Sequence, residues 1–152
     1  MAIRFSTGLK NAVLGTSGLK GSLDAGVINI YSGAQPSSAD TGASGTLLGV
    51  VTIDGGATFP ADYISFDAPV DGVLAKAALE NWKFNGAASG TAGWFRYIAD
   101  PASDDGSATS TVHPRLDGSI ARSGGDMNLS NTSITIGAPN TVDVFQIAIA
   151  LN

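Results

Sequence analysis

Short apolar runs separated by turn residues make up most of this chain. Residues 27–31 (VINIY) and 94–98 (WFRYI) are compact β-branched or aromatic runs, which predict buried strands. Residues 46–53 form another such run. Apolar and polar positions alternate over 63–67 and over 145–151, which predicts strands that bury one face. The pattern therefore predicts a protein built mainly from strands.

Turn signals divide these strands. The segment 34–45 is rich in Ser, Gly, Ala and Asp, so we expect a long loop joining the strands on either side of it into a hairpin. Asp117-Gly118 predicts a further turn. Residues 73–80 contain good helix formers, but the stretch is short and we interpret it as strand and turn.

Roughly eight to ten short strands with regular turn signals are typical of a β-sandwich, a jelly roll or a small barrel. We predict one all-β domain, a single β-sandwich or jelly-roll-like fold, over residues 26–152. The following residues are expected in or near its core: Ile28, Ile30, Val50, Trp94, Phe145, Ile147 and Ile149.

The first 25 residues differ from the rest. Phe5, Leu9, Val13 and Leu14 have near-helical spacing, but glycines interrupt the pattern. We predict an N-terminal arm over residues 1–25, at most a short helix, that either frays or orders only against a partner. On this view, deleting residues 1–20 abolishes binding to that partner and changes the melting temperature little. The candidate partner-interface residues are Phe5, Leu9, Val13, Leu14 and Trp82.

Composition narrows the class further. The chain has 152 residues, of which only 14% are charged, and Glu80 is its only glutamate, so the usual surface-helix formers are scarce and a helical bundle is disfavoured. The net charge is −5 without any cluster of Lys or Arg, which argues against nucleic-acid and anionic-membrane partners.

Cysteine and hydropathy exclude other classes. There is no cysteine, which excludes disulfides, thiol nucleophiles and cysteine zinc sites. No apolar run is long enough to span a membrane, and the start of the chain lacks a signal-peptide pattern, so we expect synthesis in a cytoplasm.

Candidate chemistry is sparse. The only histidine is His113, no Gly-x-Ser-x-Gly motif accompanies it, and we assign it a structural or surface role. Asp104-Asp105 lacks calcium-loop spacing and is interpreted as a solvated loop. The segment 124–129 (GGDMNL) matches half of a calcium-binding nonapeptide but occurs once, so a turn is the better interpretation. We predict no enzyme activity, no cofactor and no metal.

The aromatic residues leave two interpretations open. Trp94 with Tyr97, and separately Trp82, are large enough to fill a core, and exposed aromatics on a β scaffold can also stack on sugars or bind a protein. The core interpretation is favoured for Trp94, whereas both remain open for Trp82.

Several segments, taken in order, resemble a family of small structural proteins of tailed bacteriophages. They are residues 30–40 (IYSGAQPSSAD), 46–49 (TLLG), 88–96 (ASGTAGWFR), 115–120 (RLDGSI) and 124–132 (GGDMNLSNT). The resemblance spans most of residues 27–151.

The resemblance implies an all-β virion component without catalysis, assembled in the host cytoplasm. We expect a decoration or cement protein that binds the major capsid protein as a homo-oligomer, with a trimer favoured. The alternatives are a tail or neck component and a carbohydrate- or receptor-binding module of a tail fibre. The last of these requires an exposed aromatic platform.

Overall fold

The computed structural model describes residues 3–149 and contains two short helices and eleven strands in that range. In chain order they are β1 Arg4–Phe5, α1 Thr7–Leu14, α2 Gly18–Leu23, β2 Val27–Ser32, β3 Leu47–Ile53, β4 Val73–Ala75, β5 Trp82–Asn85, β6 Gly90–Ile98, β7 Arg115–Ala121, β8 Met127–Asn128, β9 Ser133–Ile134, β10 Pro139–Thr141 and β11 Gln146–Ala148. No described helix is long and apolar enough to cross a membrane.

Nine of the strands form one sheet, whose main path runs in the order β1-β7-β6-β2-β3-β5-β10. All neighbours along this path are antiparallel. Outside it, β8 pairs with β7 and β9 pairs with β6, while β4 and β11 form a separate two-stranded sheet. The all-β class is therefore confirmed. The sandwich or jelly-roll arrangement within that class stays a prediction.

The longest strand, β6, lies between β2 and β7, as expected for the aromatic run at 94–98. Its alternate residues Phe95 and Tyr97 lie opposite Ile30 and Ile28 of β2, and all four are buried in the hydrophobic core. The predicted hairpin between β2 and β3 is confirmed by their antiparallel pairing. Buried residues of the small sheet, such as Ile147, complete the same core.

Five of the seven predicted core residues are buried, and two predictions are corrected. Val51 lies in the core, so its neighbour Val50 occupies the other face of β3 and is only half-buried. Ile149 follows β11 and is 59% exposed. The predicted C-terminal strand ends earlier than expected within the described residues, and positions 150 and 151 lie outside them.

The N-terminal segment packs onto the domain. Strand β1 pairs with β7, and Ser6 caps α1 by accepting a hydrogen bond from the Leu9 amide at 3.1 Å. Leu9 and Leu23 are completely buried in the core. The described part of residues 1–25 is thus integrated into the domain, where the sequence pattern predicted an arm.

The predicted turn at Asp117-Gly118 is wrong, because both residues lie inside β7. A Cβ atom on Gly118 would lie 2.5 Å from Cε1 of the buried Phe95 ring, so this glycine allows the ring to pack against the strand. The alternation over 63–67 correctly predicts the burial of Ile64 and Phe66, but only isolated bridges form there.

Candidate functional site

The sheet face opposite the hydrophobic core carries a row of buried polar and charged side chains. The cross-strand register places Asn29 beside Arg96 and Arg96 beside Asp117, so one polar row crosses three adjacent strands. All three side chains are buried. Charged groups are rarely buried without a partner, and this row supplies the partners internally.

Arg96 and Asp117 form a bidentate ion pair. Arg96 Nε donates to Asp117 Oδ1 at 2.8 Å and Nη2 donates to Oδ2 at 2.7 Å, with neither side chain exposed. Arg96 Nη1 also donates to the Gly106 carbonyl at 2.7 Å, which ties the loop after β6 to the sheet. Burial raises the pKa of Asp117, while the hydrogen bonds and positive charge of Arg96 act in the opposite direction.

A second pair holds the same loop. Arg115 Nε and Nη2 donate to the two carboxylate oxygens of Asp104 at 2.7 and 2.6 Å, and Nη1 donates to the Ala108 carbonyl at 2.8 Å. Burial alone would raise the pKa of Asp104, but the hydrogen bonds from Arg115 and the Gly106 amide outweigh it, and the pKa lies below its usual value. The prediction that Asp104 lies in a solvated loop is therefore wrong. For Asp105 the same prediction is confirmed, because this residue is exposed.

A groove of about 460 Å³ lies beside this loop, which forms one of its walls. Its residues come from β2, β3 and the loop that joins them, from the end of β6, from the segment around Phe59 and Tyr63, and from the loop 101–107. Phe59 and Tyr63 stack with ring centroids 4.6 Å apart, and Phe59 is 47% exposed. We call this the β2–β3 groove.

The floor of the β2–β3 groove is polar at one point. Asn29 Nδ2 donates to Tyr31 Oη and to the Asp105 carbonyl, both at 3.2 Å. The Tyr31 ring stacks on Trp94 at 4.6 Å, and burial raises the pKa of Tyr31, so its hydroxyl stays protonated at neutral pH. Asn29 thus links the sheet to the loop that closes the groove.

A second, more polar cleft is lined by residues of the same loop and includes His113. His113 is held through its backbone: its carbonyl accepts a hydrogen bond from Ser6 Oγ at 2.9 Å, and its amide donates to Ser110 Oγ at 3.3 Å. Within residues 3–149, no group of three His, Cys, Asp or Glu side chains could hold a metal ion. The geometry gives this cleft no defined chemistry.

The aromatic residues for which a surface role was considered do not form an exposed platform. Trp82, Trp94 and Tyr97 are all completely buried, which confirms the core interpretation of Trp94 and decides that of Trp82. A stacked pair that reaches the surface is Phe59, which is 47% exposed, with the half-buried Tyr63 at the start of the predicted strand 63–67.

The candidate partner-interface residues are not brought together at the surface. Leu9 and Trp82 are inside the core, and Phe5 and Val13 are half-buried against it. Leu14 alone among them is exposed, at 85%. That these five residues bind a partner stays a prediction. In this fold, Leu14 is the one among them whose side chain is mostly accessible to a partner.

Comparisons with known proteins do not place the chain in a family. No family model, curated protein or solved structure matches it. The resemblance to phage structural proteins remains a hypothesis that these comparisons leave without support.

Proposed function

We propose that this protein is a non-enzymatic structural component of a tailed-phage virion, and that it decorates the head by binding the major capsid protein as a homo-oligomer, with a trimer favoured. The sequence resemblance motivates the proposal. The structural observation that supports it is an apolar surface on the two-stranded sheet, at the side of the molecule where β4 and β11 pair.

This surface, the β4–β11 patch, is an almost wholly apolar depression of about 170 Å³. It is lined by Leu19, Pro69, Gly72, Leu74, Ile147 and Ile149. Leu74 and Ile147 are buried core residues, whereas Pro69, Gly72 and Ile149 are exposed and form the accessible part of the patch. Val70, which bridges to Val73 beside it, is 66% exposed. Contiguous exposed apolar residues mark protein interaction sites more often than scattered ones do, so the patch is suited to a shell or subunit contact.

The low charge of the chain is compatible with this proposal, since the interior of a protein interface is depleted of charged residues. The patch requires a partner whose matching surface is also apolar. A neighbouring capsid protein or a second copy of the chain can provide it, and we commit to the capsid protein as the main contact.

The experiment is co-sedimentation of purified protein with emptied phage heads, combined with imaging of virions. We expect many copies distributed over the head surface. Val70→Asp with Ile149→Asp should abolish co-sedimentation, whereas Val112→Asp, a matched control at a residue that is 77% exposed outside the patch, should retain it. Because all three side chains are exposed, each change should alter the free energy of unfolding by no more than about 0.5 kcal/mol.

Copy number distinguishes the proposal from its alternative. A few copies confined to the tail or neck would refute head decoration and favour a tail or neck component. Equal binding by the patch variant and the control would refute the assignment of the β4–β11 patch.

A further inference from the structure

We propose that the β2–β3 groove is a binding site for a neutral saccharide, with the Phe59 and Tyr63 pair as its stacking surface. The groove uses different residues from the β4–β11 patch, and the inference does not depend on the proposed virion role. Its volume, about 460 Å³, falls within the range of roughly 300–1,000 Å³ typical of small-ligand sites.

The aromatic pair provides the apolar contact that a sugar ring needs. A pyranose has a face of C–H groups that packs flat on an aromatic ring, with its hydroxyls directed around the edge. Phe59 keeps 47% of its surface exposed while its ring is stacked on Tyr63, so a fixed aromatic surface is held open to solvent. Stacked aromatics are stiff contact surfaces whose ordering cost on binding is small.

Directional polar groups stand beside that surface. The Tyr31 hydroxyl accepts a hydrogen bond from Asn29, and its own O–H is then available as a donor toward the groove. The amide and the hydroxyl of Ser107 both donate to Asp105 Oδ1, which leaves Oδ2 as an acceptor. A donor and a carboxylate acceptor within one apolar cleft match the mixed hydrogen bonding of sugar hydroxyls.

The charge of the lining selects a neutral ligand. Two carboxylates line the groove, and none of the lining residues is Lys or Arg, so phosphorylated or acidic sugars would meet no compensating charge. Asp104 is already neutralised by Arg115, which leaves Asp105 at the exposed rim as the one uncompensated lining charge. A single exposed carboxylate is screened by water and salt, and it therefore favours hydrogen bonding over selection of a cation.

The site is also preorganised. The wall that carries Asp105 is fixed on both sides, by the Arg115 bonds to Asp104 and by the Arg96 bond to the Gly106 carbonyl. Asn29 adds a third connection through the Asp105 carbonyl. A ligand binding here would pay little to order the loop, which matters because single-sugar affinities are weak.

Saturation-transfer NMR on the full chain tests the inference with a defined panel of probes. The neutral probes are glucose, galactose, mannose and N-acetylglucosamine; galacturonate and sialic acid are the anionic probes, and arginine is the cationic one. We expect saturation transfer to at least one neutral sugar, with a dissociation constant up to about 10 mM, and none to the anionic sugars.

Two variants assign the signal to the groove. Phe59→Ala and Asp105→Ala should each weaken binding of the responding sugar at least tenfold, whereas Leu79→Ala, at a fully exposed residue that does not line the groove, should leave it unchanged. Circular dichroism checks that each variant is folded; the Asp105 variant keeps the test valid if Phe59→Ala disturbs its loop. The proposal would be overturned if saturation transfer were seen only to arginine, if it were seen to the anionic sugars, or if it were seen to none of the neutral sugars.

Discussion

The ion pair between Arg96 and Asp117 gives the sharpest test of how this fold is stabilised. Asp117→Ala removes two hydrogen bonds of 2.8 and 2.7 Å and leaves a guanidinium with no exposed surface and one remaining carbonyl partner. Hydrogen bonds to charged groups contribute about 1.5–3 kcal/mol each, and breaking a buried pair from one side typically costs about 3–5 kcal/mol. We therefore expect Asp117→Ala to lower the free energy of unfolding by about 3–5 kcal/mol.

For a chain of this length, the loss corresponds to a decrease in Tm of roughly 6–20 °C. Urea and thermal unfolding followed by far-UV circular dichroism measure it. The double variant Arg96→Met with Asp117→Leu should recover most of the loss, because it removes the uncompensated charge along with the pair. A loss below about 1 kcal/mol for Asp117→Ala, or a double variant less stable than the single one, would refute this reasoning.

Three further outcomes follow from positions described above. Leu9→Ala should lower the free energy of unfolding by about 2–5 kcal/mol and Leu14→Ala by less than about 0.5 kcal/mol in urea melts; equal effects would contradict the packing of α1. Gly118→Ala should cost about 1–3 kcal/mol by the same assay, because its Cβ would overlap the Phe95 ring; an unchanged midpoint would show that the ring can move. Because the pKa of Asp104 is lowered on folding, its stabilisation is present above about pH 4 and disappears as the pH falls through the lowered value, so the Tm gap between the wild type and Asp104→Asn should shrink from pH 5 to pH 3; a constant gap would contradict it.

Local patterns predicted the central strands well. The runs 27–31 and 94–98 are β-branched or aromatic and are bounded by turn residues, so their intrinsic preference agrees with their place in the middle of the sheet. Alternation also distinguished buried from exposed positions at Ile64 and Phe66, where hardly any ladder forms. These features depend only on neighbouring residues.

Features that depend on distant partners were not predictable in this way. Asp117-Gly118 has the composition of a turn, and only the guanidinium of Arg96, 21 residues earlier, makes a buried strand position favourable for the aspartate. Asp104 was expected in solvent for the same reason, because its partner Arg115 follows 11 residues later. Neither pairing leaves a periodic signal in the sequence.

The N-terminal segment and the candidate site show the same limit. Glycines weaken the helical pattern around Leu9, yet packing on the sheet buries that residue completely. Phe59 precedes the predicted strand 63–67 and Tyr63 begins it, so the local pattern gave no sign that the two rings stack. A search for aromatic pairs four residues apart in loops is the one sequence signal that would have found them.

The ends of the large sheet limit how copies of this protein can associate. One end is β1, with two residues, and the other is β10, with three, beginning at Pro139, which has no amide hydrogen to offer. Such short edge strands offer an incoming strand few backbone groups for hydrogen bonding. Natural β proteins use short edge strands in this way to avoid edge-to-edge aggregation. Association through the two ends of the large sheet is therefore disfavoured, and neighbouring copies should not join their large sheets into a continuous ribbon.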